Sequence, residues 1–304
     1  MSTPSSQYQI HDDRFRFLVF GTEALVELYS GCRWAEGPVW FEDMNCLIWS
    51  DIPNQRLLHW LPDGHVSEFR ATNFINGNTR DREGRLVSCE HGGRRVIRTE
   101  ADGSITVIAD RFEGKRLNSP NDVVVKSDGS IWFTDPSYGI LSNYEGYRAE
   151  PEQPVRGVYR VDPVTGAITR VIDDFGMPNG LAFSPDETKL YVADSAASHY
   201  ADGAKHLRVF DVQDDGAVSG GGVHYEIDVG HPDGFRLDSD GNIWTSAGDG
   251  VHCVAPDGTL LGKILVPQVV ANVTFGGPRR NRLFIAATKS LYAISLGAVG
   301  VQRP

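Results

Sequence analysis

Short runs rich in Val, Ile, Leu, Phe, Tyr and Trp recur along the chain, separated by polar segments carrying Gly, Asp, Asn or Pro. These runs have the length and the β-branched and aromatic content of short strands bounded by turns. Val123-Val124-Val125 and Ile131-Trp132-Phe133-Thr134-Asp135 flank Asp128-Gly129. Asp-Gly between two such runs predicts a hairpin, because Gly accepts the positive φ of a tight turn. A polar knot, Asn118-Ser119-Pro120-Asn121-Asp122, stands where the first of these strands begins.

That arrangement repeats. Further units begin at Trp34-Ala35-Glu36-Gly37-Pro38, Asn76-Gly77-Asn78, Pro178-Asn179-Gly180, Pro232-Asp233-Gly234 and Ala271-Asn272-Val273. Six units of about 40–55 residues, each with about four strands, predict an all-β, six-bladed β-propeller with four-stranded blades. A pair of β-sandwiches does not explain the fixed period. The last unit is one strand short at the C-terminus, and a surplus strand stands at Ala24–Tyr29. An N-terminal strand completing the last blade closes the ring. The expected organisation is an N-terminal leader over 1–20 (loose over Met1–Gln9), one propeller domain over 21–297 and a tail over 298–304. Insertions at Tyr138–Arg156 and Ser195–Lys205 follow the second strands of the third and fourth units, where binding loops or lids are placed.

Composition narrows the partners. The formal net charge of -11 argues against nucleic acid or an anionic membrane surface. The four cysteines, Cys32, Cys46, Cys89 and Cys253, are scattered without a Cys-x-x-Cys pair. They predict free thiols in a reducing compartment. The first residues lack an apolar signal core, and no apolar run has membrane-spanning length, so a cytoplasmic protein is expected. No sequence feature sets an oligomeric state.

In a propeller the first strand of each blade lines the central channel. The residues opening these strands are Glu36, Asn76, Asn121, Asn179, Asp233 and Asn272, all carboxylates or carboxamides. Two buried carboxylates without a counter-charge are costly, and a divalent cation removes that cost. The donors are hard oxygens, which select Ca²⁺, with Mn²⁺, Mg²⁺ or Zn²⁺ as substitutes. Asn76 and Asn272 lack a preceding proline and are the weaker ligand candidates. Asn118 and Asn78, beside ligand positions, are candidates for substrate hydroxyls, as simple turn residues are the alternative. His91 and Arg116 are further substrate-binding candidates, with structural or surface roles equally open. No serine stands in a Gly-x-Ser-x-Gly context.

Glu36-Gly37-Pro38-Val39-Trp40, Asn118-Ser119-Pro120-Asn121-Asp122, Pro178-Asn179-Gly180-Leu181-Ala182-Phe183 and Pro232-Asp233-Gly234 resemble, in order, four motifs of the senescence-marker-protein/gluconolactonase/luciferin-regenerating-enzyme family. The likeness runs from about Leu28 to Ile294, and Cys89-Glu90-His91-Gly92 is similar to bacterial gluconolactonases. It implies a propeller with one divalent metal, usually calcium, held by Glu36, Asn121, Asn179 and Asp233. It further implies a lactone hydrolase of the gluconolactonase type, opening glucono-1,5-lactone to gluconate, with lactones of other sugar acids left open by the family. There the metal polarises the carbonyl, and Asp233 is favoured as the base over a water at the cation. A phosphotriester hydrolase on the same site, and a non-catalytic ligand-binding propeller, are the alternatives.

Overall fold

The computed structural model describes residues 7–301. Six antiparallel sheets stand around one axis. Their innermost strands are Ala35–Phe41, Ile75–Arg80, Val123–Val125, Pro178–Phe183, Phe235–Leu237 and Val270–Gly276. Each runs outward through consecutive strands, as in the third blade, whose order is Val123–Val125, Ile131–Asp135, Gly157–Val161 and Ile168–Ile172. The Asp128-Gly129 hairpin forms as its sequence predicts, with Gly129 at φ +85°. Val26–Ser30 pairs with Ser290–Ser295, placing Val26 opposite Ala293 and Ser30 opposite Ser290. The N-terminal strand thus completes the sixth blade.

Blades pack face to face through their second strands. Trp49, Trp132 and Trp244 occupy those strands in blades one, three and five, each fully buried. Edge-on and stacked ring pairs such as Trp244–Phe275 and Trp40–Phe284 join neighbouring blades.

The chain termini differ from the expected leader and tail. Tyr8–Ile10 is a strand, pairing with Leu260–Leu265 as a fifth strand on the fifth blade. The following turn of helix, Phe15–Leu18, buries Phe15 completely, against Trp244 and Tyr8. Loose attachment is therefore wrong from Tyr8 onward, because an aromatic pair anchors this segment while covering a sheet edge. Residues 1–6 lie outside the described ones. At the other end Ala298 is buried, and Gly300 bridges Asp238. Packing thus extends past 297, and residues 302–304 are not described. A small hairpin, Arg111–Phe112 with Lys115–Arg116, joins blades two and three. Among the described residues no helix is long and apolar enough to cross a membrane.

Candidate active site at the hub of the ring

The inner strands do not enter the hub in plain alternation. Register shifts lie between Glu36 and Val39, between Ile75 and Asn78, and between Pro178 and Leu181. A bulge re-aims the side chain where it occurs, and in these three blades it accompanies the turn of Glu36, Asn76 and Asn179 into one cavity. The glycine after Glu36, Asn76 and Asn179 lets the next blade approach, whereas Asp122 and Val273 follow Asn121 and Asn272. A Cβ on Gly37, Gly77 or Gly180 would overlap the backbone oxygen of Asn76, Asn121 or Asp233 in turn. The Gly77 amide donates to the Asn121 carbonyl at 2.8 Å and Gly180 to Asp233 at 3.2 Å. Second-strand hydroxyls brace this ring: Ser50 Oγ donates to the Asn76 carbonyl at 2.6 Å and Thr134 Oγ1 to that of Asn179 at 2.8 Å. Ser246 Oγ accepts the Asp233 amide at 2.7 Å.

Glu36, Asn76, Asn121, Asn179 and Asp233 line one cavity of about 280 Å³. Asn272 stands behind it, donating from Nδ2 to Glu36 Oε2 at 3.0 Å, and the Gly37 amide donates to the same oxygen at 2.7 Å. Among the described residues, the cavity wall contains no lysine or arginine. The carboxyl groups respond accordingly. Burial raises Glu36 well above the usual carboxylate range, with Asp122 and Glu145 adding to the shift against the two hydrogen bonds. Burial likewise raises Asp233, reinforced by the charges of Glu36, Glu145 and Asp122. The donor set is therefore short of positive charge and consists of carboxyl and carboxamide groups. It fits a hard divalent cation.

The other expected substrate contacts are placed differently. Asn78 is fully buried. Its Nδ2 lies 2.9 Å from the Gly37 carbonyl and 2.9 Å from Ser50 Oγ, and its Oδ1 accepts Ser88 Oγ at 2.7 Å. Asn78 is a strut between the first two blades, since the bulge removes it from the face of Asn76. Asn118 lines a separate cavity, and its Nδ2 donates to the Val155 carbonyl at 3.3 Å. Its amide and that of Ser119 cap the Asp135 carboxylate, both at 2.8 Å. Arg116 holds the Gly93 carbonyl at 2.9 Å, outside the hub cavity. His91 is buried one layer behind the wall. Nδ1 lies 3.0 Å from the Glu145 carbonyl and Nε2 lies 3.4 Å from Asn76 Nδ2. Burial lowers its pKa to about 4, so the ring is neutral. A neutral ring donating from Nδ1 accepts the Asn76 amide at Nε2, which turns Asn76 Oδ1 away from the histidine.

The remaining wall comes from parts without a counterpart in the other blades. The blade-three insertion supplies Tyr138 and Glu145, the blade-four insertion Ser198 and His199, and the strand approach His231. Burial raises Glu145 to about 7. Tyr138 Oη lies 3.2 Å from Ser198 Oγ, and its ring packs on His199. The two insertions were marked by length, but no register singled out these side chains.

Away from the hub, ligand atoms of Asp228, Asp249 and His252 lie within 4.8 Å of one another. Lys263 Nζ already sits 2.8 Å from Asp228 and 3.0 Å from Asp249. That ammonium satisfies the carboxylates and opposes a second cation, so the cluster is an ion-pair knot.

A family profile described as the SMP-30/Gluconolactonase/LRE-like region matches residues 34–289. The chain is 31% identical to a gluconolactonase of Zymomonas mobilis over 296 residues, 89% of this chain and 81% of that protein. It is 32% identical to a pentonolactonase of Haloferax volcanii over 269 residues, 84% of this chain and 82% of that one. A solved gluconolactonase from Xanthomonas campestris superposes with a TM-score of 0.89 at 39% identity, covering 97% of each chain.

Proposed function

The chain belongs to the SMP-30/gluconolactonase/LRE-like family, and on that premise we propose that it hydrolyses a sugar lactone at the hub cavity. One observation carries the reading: three carboxyls with raised pKa, Glu36, Glu145 and Asp233, and three carboxamides meet in a cavity whose described wall has no cationic side chain. Glu36, Asn121, Asn179 and Asp233 are the residues we assign to hold the cation, calcium first, with Mn²⁺, Mg²⁺ or Zn²⁺ as substitutes. When bound, the cation supplies Lewis-acid polarisation of the lactone carbonyl.

The chain's own groups do the rest. An Asp233 oxygen takes a proton from the water that attacks the carbonyl carbon. The tetrahedral centre then collapses, breaking the bond to the ring oxygen. Glu145, raised to about 7, gives its proton to that oxygen, and exchange with solvent resets both carboxyls. Asn76 Oδ1 and the Tyr138 hydroxyl are the wall groups we assign to sugar hydroxyls. Four buried thiols support a reducing compartment, and we place the protein in the cytoplasm.

The test is acid release from glucono-1,5-lactone, followed with a pH indicator, with and without chelator. Chelator should suppress hydrolysis and added Ca²⁺ or Mn²⁺ restore it. Asp233→Asn should lower kcat by about 100-fold or more. Hydrolysis insensitive to chelator, or full activity in Asp233→Asn, refutes the assignment.

A further inference from the structure

The chain has six tryptophans. Five are buried, and each packs its ring on another ring: Trp40 and Trp60 on Phe284, Trp49 on Tyr29, Trp132 on Phe183 and Trp244 on Phe15. Trp34 is the exception. It is half-buried and lines the hub cavity, two residues before Glu36. Among the described residues no aromatic ring or guanidinium stacks on it. The use that this fold makes of its other tryptophans, as packing between rings, is missing here.

The backbone under Trp34 is fixed on both sides. Its carbonyl accepts the Ile52 amide at 3.1 Å, and the Ala35 amide donates to the Thr288 carbonyl at 2.7 Å. The Arg33 amide donates to Asp51 Oδ1 at 2.8 Å, and Arg56 and Asn54 hold the other oxygen of that carboxylate at 2.9 and 2.8 Å. Tyr144, from the blade-three insertion, is tied to the same place. The Arg33 guanidinium lies 5.1 Å from its ring centre, and its hydroxyl donates to the Arg33 carbonyl at 3.4 Å. An indole on so fixed a base offers a broad apolar surface at little cost in ordering.

A six-membered sugar lactone has two unlike parts, hydroxyls around its rim and C–H bonds on its faces. Ligand cavities pair aromatic surface with a few polar groups that set orientation. Asn76, Tyr138 and Ser198 offer the hub cavity polar groups for the rim, and the unpaired indole offers a surface for a C–H face. We propose that Trp34 is the platform on which the ring of a six-membered sugar lactone lies, C–H face against indole. This rests on the lactone hydrolysis proposed above and names the part of the substrate that the first blade holds.

The full-length protein is tested with Ca²⁺ present. Trp34→Ala should raise KM for glucono-1,5-lactone about tenfold, the order expected for uncovering one face of a ring. The change in kcat should be much smaller, the mark of binding shared by ground and transition states. Trp34→Phe keeps a flat ring and should recover most of the loss. Binding is read separately with D-glucose, which has the same ring size and no lactone bond to open. It should change the tryptophan fluorescence of the wild type saturably and leave that of Trp34→Phe unchanged, since the other five indoles are buried. Wild-type KM in Trp34→Ala overturns the platform. So does a glucose response that is absent from the wild type or persists in Trp34→Phe. A glucose response that depends on Trp34, without turnover of any lactone, instead refutes the hydrolysis and leaves the platform standing.

Discussion

Cation binding at the hub should expel protons. In the cation-free folded chain, Glu36 and Asp233 are both raised, chiefly by burial and then by neighbouring carboxylates. They hold protons at pH values where the unfolded chain has released them. Their contribution to stability is therefore full below about pH 4, and it is lost as pH rises through the raised values. A cation displaces those protons, so its stabilising effect grows over the same interval. Two interacting carboxyls titrate as a pair, and below the raised values the pair still holds protons. Each proton displaced makes affinity climb about tenfold per pH unit, about 1.4 kcal/mol for each unit. Calorimetry with Ca²⁺ near pH 6, in buffers of different ionisation enthalpy, counts the protons directly. Repeating the titration at lower and higher pH gives the slope of log Kd. Glu36→Gln should remove both the proton release and most of the affinity. Tight binding with no dependence on pH, and heats independent of the buffer, would show that these carboxyls do not hold the cation.

Two further outcomes follow from burial elsewhere. Phe15→Ala should destabilise the protein by about 3–5 kcal/mol in chemical denaturation, since the ring is fully buried against Trp244, whereas a loose leader gives less than about 0.5 kcal/mol. His91, lowered to about 4, stabilises the fold in its neutral form; that stability is present above about pH 6.5 and should fall by about 3 kcal/mol as pH drops toward 4, a loss that His91→Gln should lack in pH-dependent denaturation.

The ring and the residues at its hub were legible because six repeats impose one register. Glu36, Asn121, Asn179 and Asp233 occupy equivalent places and meet in one cavity. The glycine after Glu36 and after Asn179 is part of the same signal, since only a missing Cβ admits the next blade's backbone there, while Asn121 is followed by Asp122. Adjacency in sequence was a poor guide by contrast. Asn78 lies two residues from Asn76, which in a plain strand is the same face, but the bulge between Ile75 and Asn78 sends it between blades. Asn118 precedes the strand, where the backbone is still wrapping the Asp135 carboxylate. Tyr138, Glu145, His199 and His231 belong to no repeat, so no register could aim them. The N-terminal segment failed for a related reason. Its strand is too short to show alternation, and its anchor, Phe15, pays off only against a tryptophan more than two hundred residues away.

The two ends of the channel divide the charge between them. Glu36, Asp122 and Glu145 each add to the raised state of the hub. Asp122 has a counter-charge from below, with Arg236 Nη1 at 3.5 Å, and that neighbour is among the influences opposing its desolvation. Glu36 and Asp233 have no such partner in the described wall. A dication therefore balances the pair that lacks a cationic side chain, without competing for the carboxylate that has one.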